Sequence, residues 1–381
     1  MEKKLKVAIV HDYIKEFGGA ERVLEELIKL YPDADVYTSL YAPEYLGPHR
    51  KRFENYNIKT TWLNSIPGRQ KLISPLRLLS PFAFKNLDLH KYDVIIVSQT
   101  GAYFPNLVKK GPSTGSGHSA KLICYTHTPP RYLYGYKTAR NLKNPLLKAF
   151  SSVAFHILRM VDFAASKNVD TFIANSEEVK ARIEKFYRRD ATVIYPPVKI
   201  PNTVSLSTNY QLPTTNYYLA GGRLARAKGM DIIVKAFNKN GLSLKIFGKG
   251  FAGFEEELRR LAHKNIEFVG EVTDEEKFEL MAKAKAFIFA SFDEDFGITP
   301  VEAMGVGTPV IAFRSGGVKE TVIDGKTGIF YDENTPESLN NAIKRFDGLK
   351  INADDCIQRA EKFSEKEFDK KIRSLLQQVA G

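Results

Sequence analysis

Short apolar runs alternate with amphipathic ones from one end of the chain to the other. "KVAIV" (6–10), "DVIIVS" (93–98), "KLICYTH" (121–127), "TFIANS" (171–176) and "ATVIYPP" (191–197) are brief and almost continuously apolar, as strands buried on both faces must be. After the first of them the glycine turn Gly18-Gly19 leads into a helix from about Glu21 to Leu30. The pattern restarts beyond Pro213. "YYLAGG" (217–222), "LSLKIFG" (242–248), "IEFVG" (266–270), "AFIFAS" (286–291) and "PVIAF" (309–313) are separated by helical stretches such as "MDIIVKAFNK" and "FEEELRRLAHK". Strand–helix alternation of this kind predicts parallel, doubly wound sheets, and its restart predicts two of them. The expected layout is an α/β domain over 1–197, a linker over 198–213 rich in Pro, Ser, Thr and Asn, and a second α/β domain over 214–381. The last amphipathic helix is expected to pack back on the first domain. Two such domains facing across a cleft would bring the carboxyl ends of both sheets to one ligand, so motifs are to be sought in strand-end loops.

Composition narrows the class. The 381 residues, 43% of them hydrophobic, suit two ordinary cores. No run approaches the roughly 18 apolar residues of a membrane span, and the run 7–10 is too short for a signal-peptide core. Cys124 and Cys356 form neither a disulfide framework nor a CxxC pair, which predicts buried thiols in a cytoplasmic protein. The net charge of +12 is lopsided: residues 1–200 hold 31 Lys and Arg against 18 Asp and Glu, and residues 201–381 hold 25 against 26. Within 51–150 the count is 16 to 3, interleaved with apolar residues in "GRQKLISPLRLLSPFAFKNL" (68–87) and "RYLYGYKTARNLKNPLLKAF" (131–150). Two readings stand side by side: a peripheral surface for anionic lipid, or core helices with a solvated basic face. No nucleic-acid motif accompanies the charge.

The chemistry-bearing stretch is "FDEDFGITPVEAM" (292–304), which follows a strand and carries Glu294 and Glu302. Thr299-Pro300-Val301-Glu302 has the form of a capping box, with Thr299 as N-cap and Glu302 at the third helical position. The same carboxylate at a helix start can instead accept hydrogen bonds from a ribose or sugar hydroxyl. Phe296, Gly297 and Ile298 would offer amides beside it, where anions are favoured. "GGRLARAKG" (221–229) follows the first strand of the second domain and supplies Arg223 and Lys228, a forked guanidinium and an ammonium suited to a diphosphate. "GKGFAG" (248–253) matches a dinucleotide fingerprint but sits at the domain's second strand, and the first already carries the basic glycine loop. Asp33-Ala34-Asp35 lies at the wrong end of its sheet for a metal-bound nucleotide sugar, and Asp293-Glu294-Asp295 overlaps the glutamate loop. In the first domain, "EFGGAERV" (16–23) turns into a helix whose amides, near Gly19, can approach phosphate. "YTHTPPRYLY" (125–134) sets His127 just past a strand end, and two prolines stiffen the loop after it.

Taken in order, "GGAER", "YTHTPPRY", "ANS", "IYPPV", "GGRLARAKG", "FVGEVTDEE", "ASFDEDFGITPVEAMGVGTPVIAF" and "SGGVKETVIDGKTGIF" resemble the GT4 family of retaining glycosyltransferases, which have two Rossmann-like domains facing across a cleft, the GT-B fold. Nearly the whole chain takes part, and the most specific element is E-x7-E, Glu294 to Glu302. The resemblance implies that Arg223 and Lys228 bind the donor's diphosphate, Glu302 the nucleotide ribose and Glu294 the hydroxyls of the donor sugar. It also implies amides of Gly297 and Ile298 at phosphate and sugar, Gly19 approaching the diphosphate, His127 near the reacting carbon and Val272 at the base. Such enzymes use no bound metal and no cofactor beyond the nucleotide sugar, because cations and helix ends stabilise the leaving diphosphate. The "HDY…GGAER" opening and "HTPPRY" are similar to bacterial polysaccharide mannosyltransferases, which implies GDP-mannose as donor and a saccharide or lipid-diphosphate-linked saccharide as acceptor. The basic first domain fits that acceptor at the inner face of a membrane.

Overall fold

The computed structural model describes residues 5–111, 120–136, 145–201, 216–250 and 253–380. Most of the expected linker, residues 112–119 and residues 137–144 of the second basic stretch lie outside the described residues. The chain divides into two compact units, Met1–Pro197 with Phe368–Gly381, and Val198–Glu367.

The first unit is built on seven parallel strands: β1 (Val7–His11), β2 (Asp35–Thr38), β3 (Ile58–Thr60), β4 (Val94–Gln99), β5 (Lys121–Thr126), β6 (Thr171–Ala174) and β7 (Thr192–Val193). Their order is β3-β2-β1-β4-β5-β6-β7. Because side chains alternate along a strand, each apolar run feeds two cores. Ala8, Val10, Ile95, Val97, Leu122 and Cys124 enter one. Val7, Ile9, Val94, Ile96, Ile123 and Tyr125 enter the other, under the helix Gly19–Leu30 through Val23, Leu24, Leu27 and Ile28. Phe368, Ile372 and Leu376 of the final helix, Glu365–Ala380, complete that second core.

The second unit holds six parallel strands: β8 (Tyr217–Gly221), β9 (Ser243–Phe247), β10 (Ile266–Gly270), β11 (Phe287–Phe289), β12 (Val310–Phe313) and β13 (Gly328–Tyr331). Their order is β10-β9-β8-β11-β12-β13. In both sheets the chain runs to one side of its first strand, then crosses back to lay the next strand on the other side. The switch points fall between β1 and β4 and between β8 and β11, where open α/β sheets hold ligands. Ten strands follow the apolar runs; β2, β3 and β13 are not among the expected ones.

One expected local structure is corrected. The helix after β11 spans Ile298–Gly305 with Gly297 as its N-cap, at φ 92°, and no side-chain cap. Thr299 is therefore inside the first turn and Glu302 is past the capping position. Pro300 still fits, since the first turn needs no amide from it.

Candidate functional site

Loops at the β8/β11 switch point bring the predicted cation and carboxylate of the second unit together. Lys228, at the end of the turn Arg226–Lys228 after β8, forms an ion pair with Glu294 after β11. Ser291 Oγ donates to the same carboxylate oxygen, Glu294 Oε2, at 2.5 Å. Both charged side chains keep a solvent-facing part, 31% for Lys228 and 20% for Glu294. Backbone bonds lock the loops in register: Phe292 N–H to Ala227 O at 3.1 Å and Gly317 N–H to Glu294 O at 2.8 Å. Glycines make this closeness possible. A Cβ on Gly229 would strike the Ala290 carbonyl, and one on Gly316 the backbone of Glu294; both glycines also sit at positive φ, 64° and 70°. The fingerprint-like Gly248 has the same explanation, since a Cβ there would meet the Gly222 carbonyl.

The remaining residues expected in this unit lie in its other loops and helix starts. Arg223 lies exposed in the loop after β8, and the amides of Gly297 and Ile298 open the helix after β11. The Phe296 ring is buried against Phe363, with ring centres 5.5 Å apart, so its side chain belongs to the core and only its backbone faces the loop. Val272 is half-buried, just ahead of Thr273, which caps the helix Asp274–Ala282. Glu302 is 2% exposed, and its Oε1 accepts a hydrogen bond from Lys277 Nζ at 2.7 Å. Lys277 is itself buried and also donates to Asp274 at 2.9 Å. Nothing in the sequence singles out Lys277; its signal is the helical spacing that sets it beside Phe278 and Met281 on the buried face. Among the described residues no group of three or more His, Cys, Asp or Glu side chains is placed to hold a metal ion.

In the first unit His127 follows β5 and is 8% exposed. Its Nε2 lies 3.0 Å from Ser98 Oγ, which lies 3.0 Å from His11 Nδ1. Burial, with His11 adding to it, pushes the His127 imidazole down to about 3, so the ring is neutral at physiological pH. Asp12, next to His11, is buried; Thr100 Oγ1 donates to its Oδ2 at 2.6 Å, and the amides of Ala102 and Tyr103 at 3.0 Å each. Burial pushes its carboxyl above the usual range, against the opposing pull of His11 and these donors. Gly19 is the exposed first residue of the helix Gly19–Leu30. Cys124 and Cys356 are free and buried, and burial pushes both thiols up to about 12, far from any nucleophilic range.

Comparison with known proteins adds the remaining findings. Residues 17–200 match the family model described as Glycosyltransferase Family 4, and residues 209–363 match Glycosyl transferases group 1. The chain is 26% identical over 297 residues to an uncharacterized glycosyltransferase of Methanocaldococcus jannaschii, covering 76% of this chain and 82% of that protein. It is 24% identical to the alpha-1,3/1,6-mannosyltransferase ALG2 of Dictyostelium discoideum, over 99% of both chains. Among solved structures, Anabaena HepE in complex with UDP and glucose superposes with a TM-score of 0.70 at 20% identity, over 98% of this chain and 100% of that one. Matched in both halves to models of such enzymes, and folded as two doubly wound α/β units, the chain belongs to the glycosyltransferases, of the GT4 type with the GT-B fold.

Proposed function

We propose that the enzyme moves a hexose, with retention of configuration, from a nucleotide-diphosphate sugar to a saccharide or lipid-linked saccharide in cell-surface polysaccharide synthesis, and that the donor is GDP-mannose. The observation that carries this reading is the Lys228–Glu294–Ser291 cluster at the β8/β11 switch point. Breaking the anomeric C–O bond leaves negative charge on the diphosphate. Lys228 and Arg223, with the amides that open the helix Ile298–Gly305, supply the positive charge that stabilises it. Glu294, held by Lys228 and Ser291, accepts hydrogen bonds from donor-sugar hydroxyls. The departing phosphate oxygen takes the proton of the acceptor hydroxyl attacking from the same face, so no carboxylate needs to become covalently bound. Gly19 approaches the diphosphate, His127 contacts the sugar near the reacting carbon, Val272 the base and Glu302 the ribose. No metal and no further cofactor enters this scheme.

The ALG2 relatives, named as mannosyltransferases, support mannose. A UDP-sugar is the second reading, supported by the UDP and glucose held by the Anabaena neighbour. A thermal-shift screen with GDP, UDP, ADP and their sugars separates the two: GDP and GDP-mannose should raise the melting temperature most, since a ligand that binds only the folded form stabilises it. A response confined to UDP compounds would decide for the second. Slow hydrolysis of the donor that vanishes in Glu294→Ala would distinguish an enzyme from a binding module.

The same proposal sets the first unit on an anionic membrane surface. Within the basic stretch 68–87, Leu76, Ala83 and Phe84 are buried, whereas Leu78, Leu79 and Phe82 are 46%, 40% and 63% exposed, and Lys71 and Lys85 of the same stretch are exposed too. Exposed apolar side chains interspersed with lysines along one stretch suit the headgroup layer. Among the described residues, no helix is long and apolar enough to cross a membrane.

A further inference from the structure

The group behind His127 has a direction. His11, Ser98 and His127 stand at the carboxyl ends of the adjacent strands β1, β4 and β5, on the sheet face that carries Ile9, Ile96 and Tyr125. The helix Gly19–Leu30 covers that face, and Glu21 in its first turn reaches over the strand ends. One Glu21 oxygen, Oε2, accepts the Gly18 amide at 2.9 Å; the other, Oε1, lies 3.8 Å from His11 Nε2. His11 and Ser98 are fully buried, and among the described residues His11 Nε2 has no hydrogen-bond partner.

We infer that Glu21, His11 and Ser98 are positioning residues that fix the tautomer of His127, so that it carries its proton on Nε2 and presents Nδ1 as a hydrogen-bond acceptor to the donor sugar. The inference rests on the proposed contact between His127 and that sugar. A neutral His11 ring has one N–H, and the carboxylate beside Nε2 favours that hydrogen there, which leaves His11 Nδ1 bare; a protonated His11 would reverse the chain and put the His127 hydrogen on Nδ1. The Ser98 hydroxyl has one hydrogen, and the bare Nδ1 takes it. Ser98 Oγ can then only accept from His127, which requires Nε2–H on that ring. Among the described residues no partner occupies His127 Nδ1, so its lone pair is left for a sugar hydroxyl. The neutrality that burial imposes on His127 makes the choice binary, since a neutral ring has one N–H. Had the chain run the other way, His127 would donate at Nδ1 and would suit a sugar or phosphate oxygen without a hydrogen.

Long-range 15N–1H spectra of the full-length protein labelled at its seven histidines read this directly. His127 is assigned by the signal lost in His127→Gln. Wild type should show a pyrrole-type Nε2 and a bare, pyridine-type Nδ1 at His127; an Nδ1–H signal there would overturn the inference without any variant. Ser98→Ala should turn the single tautomer into a mixture and lower kcat about tenfold, the equivalent of one neutral hydrogen bond, while donor KM changes less than about twofold. Ser98→Thr, which keeps the hydroxyl, should restore the tautomer. Glu21→Gln keeps an oxygen for the Gly18 amide, removes the charge and should also give a mixture; a wild-type spectrum in both Glu21→Gln and Ser98→Ala would sink the relay. Unchanged turnover in His127→Gln would instead count against the catalytic reading and leave the spectral result standing.

Discussion

The two sheets share a layout and differ in what they set at the crossing. At the β1/β4 crossing the first unit gathers His11, Ser98 and, one strand over, His127, a buried chain of groups joined through single hydrogens. At the β8/β11 crossing the second unit sets a partly solvated ion pair, Lys228 with Glu294. One arrangement is buried and orients through shared hydrogens; the other is partly open to solvent and ready to meet charge. The overall balance along the chain points the opposite way, since the basic excess lies in residues 1–200 and the second half is close to neutral. Net charge thus describes the outer surface of a domain, and local pairing at a strand end describes its chemistry.

The largest effect should follow from removing the cation of the second unit. Lys228→Ala strips Glu294 of its partner and the proposed diphosphate of a counter-charge. Turnover should fall by about 100- to 1,000-fold, as when a preorganised electrostatic contact is removed, and calorimetry should show nucleotide-diphosphate affinity falling with it. Arg223→Ala, in the same loop, should weaken nucleotide binding as well. If initial rates in Lys228→Ala stay within a few-fold of wild type, the contrast between an ion pair and a buried hydrogen-bonded chain has no catalytic meaning.

Next in size is a stability effect. Lys277 bridges Asp274 and Glu302 with both ends buried. Lys277→Met leaves two carboxylates without their cation and should cost about 3–5 kcal/mol in denaturant unfolding of the second unit. Pairing it with Glu302→Gln should recover part of that loss, because the uncompensated charge goes. The single variant Glu302→Gln tests the ribose role: a ribose ligand predicts a loss of nucleotide affinity that the rescue of stability does not repair. If affinity returns together with stability, Glu302 acts through the packing of its helix.

These residues also show where the sequence is readable. Continuous apolar runs mark most strands because burial on both faces leaves little room for polar residues. β2, "DVYT", and β3, "IKT", are half polar and lie toward one sheet margin, so they carry no such run. β13 is an edge strand whose Gly328 sits where a Cβ would strike the Val310 carbonyl, and a glycine reads as a turn until the neighbouring strand is known. Glu294 and Lys228 can be picked out as strand-end residues following apolar runs. Lys277 cannot, because its partner is 25 residues on and the stretch "DEEKFELMA" looks like a solvated helix. The His11–Ser98–His127 group is within reach: the two-residue period that sends Val7 and Ile9 to one face sends His11 there too, but the register joining the strands is a property of the folded sheet. The helix start is misplaced from sequence because Thr-Pro-x-Glu reads as a capping box, whereas Gly297, free to take a positive φ, begins the turn earlier.

Smaller still is a pH effect that belongs to His127 in the first unit. Burial holds His127 at about 3, below the ordinary histidine value of 6.5. Between those values the unfolded chain binds a proton that the folded protein does not, so this group's contribution to stability is complete above about pH 6.5 and is lost as pH falls. Asp162, which burial pushes up to about 7 against the hydrogen bonds of Tyr134 and Tyr187, works in the opposite sense and masks the trend in wild type alone. Comparing wild type with His127→Gln cancels Asp162. The advantage of wild type should shrink by about 1.5 kcal/mol between pH 6.5 and 5. A flat difference would mean that the imidazole is solvated in the folded protein.

The smallest effect concerns the outer face that carries the basic excess. Phe82→Ser and Leu78→Ser remove exposed apolar surface and should leave melting within about 0.5 kcal/mol of wild type. Sedimentation with vesicles containing phosphatidylglycerol should nonetheless fall a few-fold, because each side chain contributes only its own buried area to the interface. Neutral phosphatidylcholine vesicles should bind weakly throughout, and salt should weaken binding to the anionic ones, since the lysines act at long range and are screened. Were both variants to bind anionic vesicles as wild type does, the lopsided charge would have to be read as solvation of amphipathic elements, and the first unit would contribute its buried histidine chain without a membrane address.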